Sequence, residues 1–270
     1  MERRVAFVTG ASRGIGRAAS IALAEKGYDV VVTARTLKEG ENADGRPLPG
    51  SIETTAAEVR ERGRDALALR LDLLDRKSIT AALDATLAAW GRVDLLLNNG
   101  IYTGPANMQH FLELDEEAVE TLFRANLFSQ IFLTQRVLRT LLEQGSGSVI
   151  NMVSGAGLND PPAPAGQGGW GFAYAASKAA FHRMVGVLAV EHAKSGLRFY
   201  NLEPGFVLTE AMRLNDPDGD LSKYAHGAPP SVPAAAIAWL ASDPAAEELS
   251  GQTVFAQKLC LERRLHPDWR

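Results

Sequence analysis

Two kinds of hydrophobic pattern take turns along the chain. Short, nearly continuous apolar runs stand at 4–9, 29–33, 66–71, 93–98, 147–152, 197–202 and 252–256, and they predict strands buried on both faces. Between them, apolar residues recur every three to four positions at 14–26, 51–63, 76–90, 115–143, 173–195 and 232–241, which predicts helices. Strand and helix alternating in this way argue for an α/β fold, a doubly wound sheet of seven parallel strands with helices on both faces. In such sheets ligands bind beyond the carboxyl ends of the strands. Residues that directly follow a strand are therefore the first candidates for chemistry.

Composition narrows the picture. At 270 residues and 46% hydrophobic the chain can bury a substantial core, and the expectation is one domain over 1–270. A formal net charge of -4 supplies no basic footprint, so nucleic acid is not an expected partner. The single Cys260 excludes an internal disulfide and fits a reducing compartment. The first strand begins almost at once with no long apolar segment before it, so neither signal peptide nor membrane span is expected and the location expected is cytoplasmic. His110, His182, His192, His226 and His266 show no metal spacing, and no metal is expected.

The first strand, Val5-Ala6-Phe7-Val8, runs into Thr9-Gly10-Ala11-Ser12-Arg13-Gly14-Ile15-Gly16 and then a helix from Arg17. Strand, glycine turn and helix in this order form a Rossmann-type phosphate cradle: Gly10 permits a tight turn, Gly14 close approach of a ligand, and Gly16 helix-to-strand packing. The helix start then offers free N–H groups to a pyrophosphate. Past the middle, Tyr174-Ala175-Ala176-Ser177-Lys178 puts a phenol and an ammonium four positions apart, on one helix face. A tyrosine that moves protons near neutrality needs its pKa of about 10 lowered, and a neighbouring cation does this by favouring the phenolate. As an isolated pair these residues would more often be a solvated helix face.

Taken together the chain resembles the short-chain dehydrogenase/reductase family, whose marks are this G-x-x-x-G-x-G turn and Tyr-x-x-x-Lys. Asp72, Asn98-Asn99, Asn126, Ser154, and Pro204-Gly205 with Thr209 also fall in the family's order. The resemblance implies a catalytic tetrad of Asn126, Ser154, Tyr174 and Lys178. It implies a dinucleotide held by Gly10, Ser12, Arg13, Gly14, Ile15, Gly16, Arg35, Asp72, Leu73, Asn99, Gly100, Tyr174, Lys178, Pro204, Gly205, Val207 and Thr209. NADP is the expected cofactor, with NAD the alternative: the second strand ends at Ala34-Arg35 with no acid before Glu39, and Arg13 is a second cation nearby. The expected substrate is a small-molecule carbonyl or secondary alcohol, hydrophobic in lean. A cofactor-binding sensor without turnover would have no need of the Ser, Tyr and Lys set. A halohydrin-type lyase would lack the glycine turn and the Lys.

Several stretches depart from the family's pattern. Gly100-Ile101 follows Asn98-Asn99 where Ala-Gly is usual, and Ser154 and Tyr174 lie 20 positions apart, several more than is common. The added Pro- and Gly-rich chain at 159–171 is expected to begin and end at the site, with Trp170 and Phe172 as a pocket wall or Trp170 as a plain anchor. An insertion at 37–50, with Lys38, Glu39, Glu41, Asp44 and Arg46, is expected to be a tolerated surface loop near the adenosine end. The polar stretch 206–230 is expected to be a substrate lid carrying Met212, Leu214 and Tyr224. His226 in it reads as a plain loop histidine. Relatives assemble as homodimers or homotetramers through the helices expected at 115–143 and 173–195. Phe181, Val185, Leu188 and Ala189 serve either core or interface.

Overall fold

A computed structural model describes residues 3–40, 48–214 and 226–269. The strands are β1 (Arg4–Thr9), β2 (Tyr28–Ala34), β3 (Ala66–Arg70), β4 (Leu95–Asn98), β5 (Gly147–Met152), β6 (Leu197–Glu203) and β7 (Thr253–Phe255). They form one parallel sheet in the order β3-β2-β1-β4-β5-β6-β7. The helices are α1 (Gly14–Glu25), α2 (Ile52–Glu61), α3 (Arg76–Trp90), α4 (Glu116–Phe123), α5 (Ser129–Gln144), α6 (Phe172–Glu191), α7 (Glu210–Leu214), α8 (Ser231–Ser242) and α9 (Ala256–Arg263). Winding runs outward from β1 to β3, then returns to β4 beside β1. At that reversal the carboxyl ends of β1 and β4 part to leave a crevice.

Successive strand residues point to opposite faces, and the core divides accordingly. Ala6, Val8, Val30, Val32, Leu95, Leu97, Ile150 and Leu202 pack on one face beneath Ala19 and Leu23 of α1 and Ile237 and Leu240 of α8. Val5, Phe7, Val31, Leu96, Val149 and Phe199 pack on the other beneath Ile79 and Leu83 of α3, Leu133 and Val137 of α5, and Val185 of α6. Both faces being covered explains why the strands read as unbroken apolar runs. Buried Tyr28 and Tyr200 each keep a polar handle, donating to the Ala241 and Ala246 carbonyls at 2.7 and 2.9 Å.

The strands and most helices stand where the pattern predicts them, with ends shifted by a residue or two. Side-chain caps mark three of the helix starts: Ser51, Asp75 and Asp115 accept from Thr54, Lys77 and Ala118 N–H. The single helix expected over 115–143 is interrupted, however, by a π-helical segment, Arg124–Phe128, with Asn126 at its centre. Such bulges cluster at functional sites, and the apolar spacing does not register one inserted residue. α6 ends at Glu191, four residues short of the expectation, and 192–195 form a turn that follows the helix. Two short helices, α7 and α9, escape the pattern altogether. α9 starts directly after β7 with no side-chain cap, and its buried Ala256, Leu259 and Cys260 are too few to register as a period.

Phe181, Val185 and Leu188 are buried core residues and Ala189 packs on the same core, so the apolar face that α6 leaves open is instead Phe172, Val187 and Val190. Among the described residues no helix is long and apolar enough to cross a membrane. Glu41, Asp44, Arg46 and Tyr224, together with the side chain of Leu214, lie outside the description.

Candidate active site

The turn after β1 and the turn after β4 are locked to each other. Thr9 Oγ1 accepts the N–H groups of Asn99 and Gly100 at 3.0 and 2.8 Å and donates to the Leu97 carbonyl at 3.2 Å. The Asn99 amide returns the contact, donating to the Thr9 and Gly10 carbonyls at 2.9 and 3.2 Å. Glycine is required at both contact points. A Cβ on Gly10, whose φ is +66°, would lie 2.7 Å from Gly100 Cα, and one on Gly16 would overlap the Gly10 carbonyl. Gly14, also at positive φ, opens α1 behind it with Arg13 as an N-cap that makes no side-chain bond to the helix. Ser12 is buried and Ile15 half-buried in the same turn.

The two arginines of the adenosine end differ sharply. Arg13 donates to the carbonyls of Pro49 and Gly50 at 2.8 and 3.0 Å, so its guanidinium ties the inserted loop to the glycine turn. Arg35, half-buried after β2, makes no hydrogen bond or ion pair with any described residue. Glu39, the nearest acid, turns back into its own loop, accepting from Gly50 N–H and Thr54 Oγ1 at 2.9 Å each. Lys38 is exposed. Asp72 after β3 accepts from Leu74 N–H at 2.9 Å, shaping the turn into α3, and Leu73 beside it is buried.

Tyr174 stands in the first turn of α6 and Lys178 one turn further on, facing the end of β5. The Lys178 ammonium donates to the Met152 carbonyl at 2.9 Å, and burial pulls its pKa down to about 8. The expected downward pull of Lys178 on the phenol is not what governs Tyr174. Burial raises its pKa, the nearby Ser154 hydroxyl lowers it, and the charge of Glu203 raises it. Ser154 also accepts from Ala156 N–H at 3.2 Å as the cap of its own turn, so one hydroxyl serves both purposes. Asn126 lies apart from these three contacts. Its amide pairs on both atoms with the main chain of Tyr102, at 2.8 and 3.0 Å, which braces the loop after β4 against the π-helical segment.

Two carboxylates absent from the sequence reading reach this region. Glu203, last residue of β6, accepts from Gly155 N–H at 3.2 Å and from Gly205 N–H at 2.9 Å. Glu210, first residue of α7, accepts from Gly14 N–H at 3.0 Å, at the start of α1. For Glu203 the available signal was an acid ending a strand immediately before Pro204-Gly205; for Glu210 no local pattern points across to Gly14. The segment leading to α7 is anchored at its base: Gln257 donates to the Pro204 and Phe206 carbonyls, and Val207 bridges to Ala228. Thr209 Oγ1 accepts from Met212 N–H at 3.4 Å.

The added loop lies against the outer side of α6. Its end is held by Gly171 N–H on the Asn107 carbonyl and by an edge-to-face pair of Phe172 with Phe111, centroids 5.4 Å apart. Trp170 lines a cavity of about 500 Å³ with Ala156, Leu158, Pro161, Phe172 and Ala175. Ser154, Tyr174 and Lys178 are not among its walls, so Trp170 and Phe172 border a space beside the reactive hydroxyls. Ile101 is exposed after Gly100, whose carbonyl accepts from Gln130. His182 pairs with Thr253, His266 with Ser231, and His226 is exposed. Among the described residues no three His, Cys, Asp or Glu gather as metal ligands.

Known proteins resemble this chain over most of its length. The family model described as short chain dehydrogenase matches residues 4–219. A 3-oxoacyl-[acyl-carrier-protein] reductase of Synechocystis sp. is 32% identical over 93% of this chain and 94% of its own length. An L-rhamnose 1-dehydrogenase (NAD(P)(+)) of Sphingomonas sp. is 30% identical over 91% of this chain and 92% of its own. Among solved structures, a carveol dehydrogenase of Mycobacterium avium in complex with NAD superposes with a TM-score of 0.78 over 93% of this chain and 95% of that one. At 21% identity that likeness speaks for the fold.

Lys178 makes stability depend on pH in a definite direction. Its folded pKa of about 8 lies below the ordinary 10.5, so between those values the unfolded chain holds more protons and stability rises with pH. Below about 8 the folded state carries the whole cost of the buried charge. Unfolding free energies of a Lys178→Met variant minus wild type should therefore be most positive below pH 8 and decline toward 10.5. Denaturant titrations across that range check it, and a difference constant with pH would refute it.

Proposed function

The chain belongs to the short-chain dehydrogenase/reductase family, and on that premise we propose that it is an NADP(H)-preferring oxidoreductase acting on a hydrophobic carbonyl or secondary alcohol. The observation that carries this reading is the meeting of three groups at the end of β5: Tyr174 and Lys178 one helical turn apart on α6, the Lys178 ammonium on the Met152 carbonyl, and Ser154 two residues further on, whose hydroxyl lowers the pKa of the phenol. When bound, the dinucleotide supplies or takes the hydride; the protein's task is to orient the substrate oxygen and handle one proton. Tyr174 Oη gives that proton to the oxygen in reduction and takes it in oxidation. The Ser154 hydroxyl donates to the same oxygen as charge develops there. Lys178 supplies a buried cation behind the phenol, and Asn126 braces the loop that bounds the crevice. One domain would carry both cofactor and substrate.

The residues fit a dinucleotide. The glycine turn offers a close approach at the start of α1, Asn99 and Gly100 line the crevice, and Pro204, Gly205, Val207 and Thr209 form its opposite side. Arg35, with no partner among described residues, supports the 2′-phosphate reading, while Arg13 is engaged by the inserted loop and contributes less than the sequence implied. The named activities of the relatives, on an acyl chain and on a sugar, leave the substrate to this chain's own walls. Trp170, Phe172, Leu158 and Pro161 line the cavity beside the reactive hydroxyls and favour a substrate with an apolar part extending into it. Exposed Phe172, Val187 and Val190 on α6 support a homodimer or homotetramer, and the cytoplasm remains the proposed location.

Reduction of a panel of ketones, quinones and acyl thioesters, followed through NADPH absorbance, tests the assignment. Tyr174→Phe should lower kcat by roughly 10²–10⁴ and dinucleotide affinity far less; an unchanged rate refutes the reading, and tight binding without turnover by the wild type across the panel would make the protein a sensor. Arg35→Asp should cut the NADP to NAD efficiency ratio, and a ratio that stays put would return Arg35 to the surface. Glu210 occupies the Gly14 N–H that a pyrophosphate would use, so Glu210→Gln should tighten ADP binding by roughly two- to fivefold, the range of a single charge at a helix start. Calorimetric titration measures this, and equal affinity would mean the side chain leaves Gly14 freely.

A further inference from the structure

Glu203 is a half-buried acid that the proposed proton transfer does not use. It closes β6, and its two oxygens accept from main-chain N–H groups on different turns, Gly155 at 3.2 Å and Gly205 at 2.9 Å. Gly155 directly follows Ser154, and Gly205 belongs to the wall opposite the glycine cradle. Each turn thus gives a half-buried N–H to the same carboxylate, and the first of them carries Ser154. A strand end seldom needs an acid for this: a backbone carbonyl or a neutral amide would satisfy N–H groups without bringing a charge into a desolvated cleft.

We propose that Glu203 is a positioning residue of the reactive centre: it clasps the Ser154 turn to the Gly205 turn and sets a fixed negative charge against the Tyr174 hydroxyl. Its charge is one of the influences that raise the phenol, alongside burial, while Ser154 acts the other way. Burial also raises the pKa of Glu203 itself, and the N–H bonds from Gly205 and Gly155 offset that rise. On the helix side the facing charge is Lys178, whose ammonium is turned toward Met152. The result is a phenol kept in its protonated form, the form that gives a proton to a developing alkoxide. Glu203 therefore extends carbonyl reduction toward alkaline pH. This last step rests on the reading of Tyr174 as proton donor; the clasp and the charge effect do not.

Titrating the protein without cofactor separates the two. The tyrosinate absorbance of each protein, minus that of its Tyr174→Phe counterpart, isolates the Tyr174 midpoint without any turnover. Glu203→Gln should move that midpoint down, and Glu203→Asp, which keeps the charge, should hold it near the wild-type value. With an active substrate in hand, the alkaline limb of kcat/KM for reduction should move down with it in Glu203→Gln. A midpoint unmoved by Glu203→Gln, or moved equally by both variants, overturns the proposal. A moved midpoint with no matching change in the reduction profile would sustain the role of Glu203 and instead overturn Tyr174 as the donor.

Discussion

The crevice rests on one clamp at the point where the winding of the sheet reverses. Thr9 and Asn99 exchange hydrogen bonds between the ends of β1 and β4, and Gly10, Gly16 and Gly100 let the two turns meet at backbone distance. Parallel strands diverge beyond such a reversal, so without a tie the two turns would part and the helix start of α1 would lose its fixed relation to the sheet. Side-chain hydroxyl and amide groups bonding main chain take over where the β1–β4 ladder stops at Val8 and Leu97. Everything else in the site is placed relative to that tie: the Gly14 N–H on one side, the loop braced by Asn126 on the other.

Around it the reactive hydroxyls sit among groups whose charged forms are costly. Lys178 is buried with one carbonyl partner, Tyr174 is raised by burial, and Glu203 is raised by burial and held by two N–H groups. Three titratable groups displaced together in one cleft are more characteristic of a chemical site than of a structural core. The same cleft is edged by segments that differ from the family's usual spacing. The loop over 159–171 folds against α6, and the insertion after β2 is drawn onto the glycine turn by Arg13 and stapled by Glu39. Both insertions are thus anchored beside the site, one by the Arg13 side chain on its Pro49 and Gly50 carbonyls, the other by Gly171 N–H on the Asn107 carbonyl.

Glu210 shows how the side of the crevice formed after β6 reaches the cradle. A carboxylate takes the place at Gly14 that suits any anion, and it comes from α7, whose approach from Pro204 onward is tied down by Gln257 and by the pairing of Val207 with Ala228. Cofactor cradle and substrate side are therefore joined by one hydrogen bond between residues 196 positions apart.

Local periodicity determined the sheet, its parallel sense and most of its helices, because burial on both faces and helical spacing are written residue by residue; the glycine turn and the Tyr174–Lys178 spacing were legible as local motifs, and Ser154 only through the family resemblance. Tertiary structure alone decided the rest. Which carbonyls Arg13 engages, which way Lys178 points, that Asn126 sits in a π-helical segment, and that Glu203 and Glu210 converge on the crevice all depend on contacts between segments far apart in the chain. A hydrogen bond to a distant main-chain N–H leaves no spacing in the sequence, and desolvation, which sets the proton affinities here, belongs to the packed cleft and not to any one residue.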